Sequence, residues 1–344
     1  MKQLQKKYSI TQCALYKCKS RKRLERILTL ETGGLRNIHS AISYHNFKIS
    51  KKEAGEKRDI TAPDKKLKHI QSRILRLLQP IERPAWLISG EKGKCYIDNG
   101  KAHIHNNYAL TVDIKKFYDN CRRDPVYRFF HGALCVSADV AEILTDIVTH
   151  DNGIPTGCPT SQLIAYYAYA DMFQEISECA EEFGCVFTLY VDDMAFSSKN
   201  PFDPRQLSRK IDRLLRKYGH KPKYRKVKYY SPKDAKIYTG TIVTPDNALD
   251  IPNSLQKKVY DNFQKVKELN DYQELSSENP QVMLTLLGQI QASKNIDSSR
   301  FPEISRLTRE FKKIADVQQR RKLSKHNAIN KGKIKIPSKA TVKK

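Results

Sequence analysis

The sequence predicts an α+β protein. Strand-like and helix-like segments mix along 344 residues without the regular strand–helix–strand alternation of a parallel sheet. A chain of this length can enclose a large core and roughly two or three subdomains. A third observation sets the chemistry, because acidic residues stand at the apolar ends of strands. Asp113 follows Tyr108-Ala109-Leu110-Thr111-Val112, and Asp192-Asp193 lies between Thr188-Leu189-Tyr190-Val191 and Met194-Ala195-Phe196-Ser197.

Residues 1–40 read as helical and basic, with Leu24, Ile27, Leu28 and Leu30 as an apolar stripe and Gly33-Gly34 as its interruption. Phe47-Lys48-Ile49-Ser50 and Asp59-Ile60-Thr61 read as two strands around a polar turn at 52–57. Pro63, which has no N–H to donate, ends the second. Leu67, Ile70, Ile74, Leu75, Leu77 and Leu78 fall at helical spacing before Pro80. His103 and His105 flank Ile104, and strand alternation would put both on one face. A metal pair is conceivable there, and a structural histidine is the simpler account. A helix fits 137–149, a rigid loop 153–159, and the Ala/Tyr/Leu face of 160–182 predicts one long helix. Leu207, Ile211, Leu214 and Leu215 share a face of a helix over 203–219. Residues 238–243 read as a strand with a glycine in it, and helices return over 254–269, 280–292 and 305–325.

Lys and Arg number 63 against 37 Asp and Glu, a net charge of +26. A surplus this large implies a polyanionic partner, with nucleic acid as the default. The tail 317–344 carries ten Lys or Arg and no acid, and its C-terminal half has the composition of a segment that is disordered when free. No apolar run approaches the roughly 20 residues of a membrane span, and the N-terminus lacks the features of a signal peptide. Eight cysteines without Cys-x-x-Cys spacing argue against a zinc knuckle. They read as small buried hydrophobes in a reducing cytoplasm.

Adjacent carboxylates alone also suit a hairpin turn, because Asp tolerates left-handed geometry. At strand ends, however, they suit hard divalent cations, which take carboxylate oxygens and accept phosphate as a co-ligand. Two Mg²⁺ ions about 3.5–4 Å apart clamp the attacking and leaving oxygens of an in-line displacement at phosphorus. The chemistry expected is nucleotidyl transfer.

Three segments in order carry a resemblance. Thr111-Val112-Asp113-Ile114-Lys115-Lys116-Phe117-Tyr118 resembles the first metal-binding motif of reverse transcriptases. Gly157-Cys158-Pro159-Thr160-Ser161 resembles their template-contact loop, with Thr156 where Gln is usual. Tyr190-Val191-Asp192-Asp193 resembles their Y-x-D-D turn. Asn99-Gly100-Lys101-Ala102-His103 and Tyr238-Thr239-Gly240 look like the N-A-x-x-H and V-T-G signatures of retron reverse transcriptases, with Gly100 and Tyr238 as departures. The resemblance runs from about residue 48 to 265.

The resemblance implies a right-hand polymerase fold with an antiparallel palm sheet. Residues 1–40 would be an N-terminal helical region, 41–245 fingers and palm, 246–316 a helical thumb and 317–344 a basic tail. Asp113, Asp192 and Asp193 would be catalytic and hold two Mg²⁺ ions, and Ile114 would offer its backbone carbonyl. Tyr118 would exclude a ribose hydroxyl. Lys57 and Arg58 would grip the incoming triphosphate, Thr156 and Gly157 would lie along the nucleotide, and Lys226 would face the departing pyrophosphate. Asn99, His103, Pro159, Ser161, Tyr238, Thr239, Gly240, Lys257 and Lys258 would contact nucleic acid. The partners implied are dNTPs, a cognate structured non-coding RNA (msr-msd), its cDNA product and a separate effector protein in bacterial anti-phage defence. Two alternatives stay open: an intron-encoded or abortive-infection reverse transcriptase, and a non-catalytic RNA-binding scaffold for an effector.

Overall fold

In the computed structural model, which describes residues 7–50, 57–271 and 280–330, helices mix with antiparallel sheets. Strands β1 (Tyr44–Ser50) and β2 (Lys57–Pro63) form a hairpin. Strands β3 (Tyr108–Asp113), β4 (Val186–Tyr190), β5 (Asp193–Ser198) and β6 (Lys228–Tyr230) form a four-stranded sheet in the order β4-β5-β3-β6. β7 (Lys236–Tyr238), β8 (Thr241–Val243) and β9 (Leu249–Asp250) follow.

The chain divides into two compact units: Met1–Thr239 with Pro245–Asn247, and Gly240–Thr244 with Ala248–Lys344. In the first, β5 is central and buried on both faces, from Met194 to Ser198. Such a strand reads as continuously apolar or small rather than alternating. Phe187 and Phe196 stack across β4 and β5, with ring centroids 5.1 Å apart. The helix Lys65–Leu78 starts where the Asp64 carboxylate accepts from the Leu67 N–H, and it buries Leu67, Ile70, Ile74 and Leu78. The helix Pro204–Lys217 repeats that logic, with Asp203 accepting from the N–H groups of Arg205 and Gln206 and with Leu207, Ile211 and Leu215 buried. The N-terminal residues join the same core through Leu15, Leu24, Leu28 and Ile38.

The second unit pairs β8 with β9 and packs three helices, Asn253–Asp271, Pro280–Ile296 and Pro302–Asn330. Their shared core holds Val259, Val266, Met283, Leu286 and Ile290. No helix among the described residues is long and apolar enough to cross a membrane.

Three sequence expectations are corrected. The helix expected over 160–182 breaks at Tyr169 into Ser161–Ala168 and Ala170–Glu182. The Tyr169 hydroxyl lies between the Asn120 carbonyl (3.2 Å) and the Arg122 N–H (3.0 Å), a tertiary tie that outweighs helix propensity. The strand expected over 238–243 is two, because Thr239 and Gly240 both take positive φ, 42° and 94°. His103 and His105 share no face. They lie in turns after the helix Tyr96–Lys101, with His103 buried and His105 exposed. The cysteines also divide: five are buried, Cys135 and Cys158 are partly so, and Cys95 is exposed. Residues 52–56 of the turn expected at 52–57, and 331–344 of the basic tail, lie outside the described residues, while Lys57 begins β2.

Candidate active site

Antiparallel pairing of β3 with β5 sets Asp113 directly opposite Asp193. Cross-strand neighbours of this kind stand about 4.5–5.5 Å apart at Cβ. The Ile114 N–H donates to the Asp192 carbonyl at 3.0 Å, which fixes the end of β3 against the β4–β5 turn. The Lys223 N–H donates to the Asp113 carbonyl at 2.7 Å and brings the 3-10 turn Tyr224–Lys226 to the same place. Asp113 thus meets the adjacent pair Asp192-Asp193 at one end of the sheet.

Their crowding has an electrostatic consequence. Burial, then the charges of Asp192 and Asp113, push the Asp193 carboxyl up to about 7 from the usual 3.8. Lys226 answers part of the charge with its Nζ 2.6 Å from Asp113 Oδ2. Burial alone would lower that lysine's pKa, but the bond to Asp113 and the fields of Asp193 and Asp192 hold it raised.

The turn itself is strained. Val191, a β-branched residue, has φ +61°, a region that costs such a side chain of the order of 1–3 kcal/mol. Its N–H donates to Ser89 Oγ at 2.9 Å. Ser89 ends a strap along β4, in which the Leu189 N–H donates to Trp86 O (2.9 Å) and the Ile88 N–H to Leu189 O (3.0 Å). Sequence reasoning missed Ser89. A lone serine before a glycine carries only a turn signal, and its partner is 102 residues away.

The other expected residues fall into three groups. Tyr118 is half-buried against Phe117, 5.5 Å between centroids, just past the left-handed Lys116 (φ 50°). Ile114 is buried, so only its backbone is available. The loop at 156–161 packs on β2. The Gly157 N–H donates to Thr61 O at 2.9 Å, Thr156 Oγ1 donates to Asp59 O at 3.3 Å, and the Ser161 hydroxyl donates to Pro155 O. A Cβ on Gly157 would sit 2.6 Å from Thr61 O, which explains glycine there. Pro159 is half-buried and Ser161 buried. Lys57 is exposed on β2; the Arg58 side chain lies outside the described residues. Lys257 and Lys258 are exposed in the second unit.

The third group lies in the interior. Asn99 (1% exposed), His103 (0%) and Tyr238 (1%) are interior side chains. As placed they present almost no surface to nucleic acid, and neighbouring protein groups take the Asn99 amide and the His103 ring. Asn99 Nδ2 donates to Thr239 Oγ1 at 2.7 Å, and the His103 ring lies 4.5 Å from that of Tyr238 at 17°. Thr239 is half-buried and Gly240 exposed, so that corner alone reaches the surface.

The acids fit divalent cations by chemistry rather than by enclosure. Among the described residues no three His, Cys, Asp or Glu side chains form a cage that would hold a metal unaided. Magnesium is usually held by one or two carboxylates completed by water and substrate phosphates, and a raised Asp193 marks negative charge in need of a counterion.

The profile of the reverse transcriptase (RNA-dependent DNA polymerase) family matches residues 49–275. Retron Se72 reverse transcriptase from Salmonella heidelberg is 26% identical over 172 residues, 50% of this chain and 45% of its own length. Retron Ec48 reverse transcriptase from Escherichia coli is 27% identical over 228 residues, 62% of this chain and 56% of its own. Retron Ec86 reverse transcriptase, also from Escherichia coli, is 26% identical over 175 residues, 50% and 54%. The chain spans about half the length of these curated relatives. An apo telomerase from Candida tropicalis superposes on 62% of the chain and 55% of its own with a TM-score of 0.47 at 12% identity, too distant to carry an argument. With that match covering more than half the chain, this protein belongs to the reverse transcriptase family.

Proposed function

We propose that this chain is the RNA-directed DNA polymerase of a retron, copying a cognate structured RNA into msDNA from dNTPs. The convergence of Asp113, Asp192 and Asp193 at the ends of paired antiparallel strands carries the reading. In it the first unit serves as fingers and palm and the second as thumb.

Asp113, Asp192 and Asp193 would hold two magnesium ions, with the Ile114 carbonyl as a further oxygen. Bound there, the metal would supply charge neutralisation at the transferring phosphoryl group. The chain's own residues position the reactants. A primer hydroxyl attacks the α-phosphorus and pyrophosphate leaves. Lys226, 2.6 Å from Asp113, stays an ammonium beside the acids and can protonate the leaving group. Tyr118, near the left-handed bend at Lys116, would press on the sugar and exclude a ribose hydroxyl. Lys57 and Arg58 would grip the triphosphate, where the guanidinium fork suits phosphate oxygens. Thr156, Gly157, Pro159 and Ser161 would line the template and nucleotide. Thr239 and Gly240, at the surface corner, and Lys257 and Lys258 would bind the RNA. The setting would be anti-phage defence in the cytoplasm with a separate effector.

The test is synthesis by the purified protein with its copurifying RNA, dNTPs and Mg²⁺. A branched RNA–cDNA species is expected, and Asp192→Asn should abolish it. Equal synthesis by that variant would refute the assignment of the acids.

A further inference from the structure

Behind the acid-bearing hairpin lies a chain of buried hydrogen bonds. Asn106 Nδ2 donates to Ser197 Oγ (2.7 Å), Ser197 Oγ meets His103 Nδ1 (2.6 Å), and His103 Nε2 meets Thr188 Oγ1 (2.7 Å). Thr188 Oγ1 then donates to Asn99 Oδ1 (2.6 Å), and Asn99 Nδ2 donates to Thr239 Oγ1 (2.7 Å). On β5 Ser197 is four residues from Asp193, and on β4 Thr188 pairs with Ala195, two residues from Asp193. At about 3.4 Å per residue the grip lies roughly 7–14 Å from the tip. At the far end is Thr239, a β-branched residue at φ +42°.

Donor and acceptor rules set one direction through the chain. Thr188 gives its proton to Asn99, so its oxygen accepts from His103 Nε2–H. On a neutral ring Nδ1 is then the acceptor, and Ser197, which accepts from Asn106, has its own proton to give it. The Thr188 end requires this ring form and the Ser197 end matches it.

We propose that Asn99 and His103 are positioning residues for nucleotidyl transfer, with His103 locked as the neutral Nε2–H tautomer to hold the β4–β5 hairpin and the Thr239 corner as one body. The inference rests on the polymerase reading above. It assigns the two residues to bracing rather than to nucleic-acid contact. A 1 Å displacement of a reacting constellation can cost about 10²-fold in rate, so a loosened brace is felt at the acids without touching substrate. Burial supports the ring form, lowering the His103 pKa to about 3.

The experiment uses the full chain with oligo(dT)-primed poly(rA), dTTP and Mg²⁺, and the variants Asn99→Ala, His103→Gln and Thr188→Ser. Asn99→Ala and His103→Gln should lower kcat roughly 10–100-fold, with KM for dTTP and Kd for the primed template nearly unchanged. Thr188→Ser, which keeps the hydroxyl, should stay near wild type. Weakened template binding with a shallower salt dependence and intact kcat would mean direct nucleic-acid contact and overturn the proposal. Nitrogen-15 spectra should show His103 protonated only at Nε2 down to about pH 5, and an Nδ1–H or doubly protonated ring there would also overturn it. If wild type extends no primer, the polymerase reading fails by itself. The spectra, and a thermal cycle of Asn99→Ala with Thr239→Val, then still decide: non-additive losses support the brace and additive ones sink it.

Discussion

The two ends of the β4–β5 hairpin are built on opposite electrostatic principles. At the tip, Asp192 and Asp193 crowd Asp113, and Val191 is strained. Behind it, Asn99, His103, Thr188 and Ser197 hydrogen-bond to one another in a buried chain. Charge that Lys226 relieves only in part marks the end that awaits a substrate or cation, whereas a hydrogen-bonded network marks the end that must not move. Changes at the tip should therefore cost activity and spare stability, and changes behind it should cost stability as well.

The largest effects test that division directly. Asp192→Asn should lower primer extension by at least about 10³-fold, or ~4 kcal/mol of transition-state stabilisation, with no loss of melting temperature. Thr188→Val, similar in volume, strips partners from His103 Nε2 and Asn99 Oδ1 together. Two buried polar groups left unmatched should destabilise the protein by roughly 2–5 kcal/mol in urea unfolding. Equal stability losses from both substitutions would erase the contrast.

Titration sharpens it further, because the two ends respond to pH with opposite sign. Burial lowers His103 to about 3. Unfolded histidine binds a proton near pH 6.5 while the folded ring stays neutral. It thus contributes stability that is lost as pH falls below that point, about 1.4 kcal/mol per pH unit. Asp193 runs the other way in metal-free protein. Its unfolded carboxyl ionises near 3.8 and its folded one near 7, so its contribution is lost as pH rises between them. The difference in unfolding free energy between wild type and His103→Gln should grow from pH 5 to 7. Asp193→Asn should gain on the order of 1 kcal/mol at pH 8 in chelator. A gain from Asp193→Asn at acidic pH only would reverse the predicted sign.

The tip was legible in the sequence because strand periodicity is local: apolar runs end at Asp113 and flank Asp192-Asp193. The helices capped by Asp64 and Asp203 were legible for the same reason. The network behind was not. His103-Ile104-His105 alternates as a strand would, and only contacts to Thr188 and Ser197, 85 and 94 residues away, show a buried turn instead. The helix break at Tyr169 depends likewise on Asn120 and Arg122. The positive φ at Val191 and Thr239 follows from tertiary pairing that no residue propensity announces.

Ser89 gives the smallest and most local test, because it touches the tip through one bond. Its hydroxyl accepts the Val191 N–H at 2.9 Å, and the serine is 5% exposed. In Ser89→Ala that N–H loses its partner at a residue already strained, a cost of about 1–2 kcal/mol. The hairpin acids keep their strand pairing, since Asp113 and Asp193 are held by β3 and β5 rather than by the strap. The expected result is a modest drop in unfolding free energy and faster amide exchange confined to Val191 and Asp192. A variant with unchanged exchange at Val191 would show that the strained turn is held by the sheet alone.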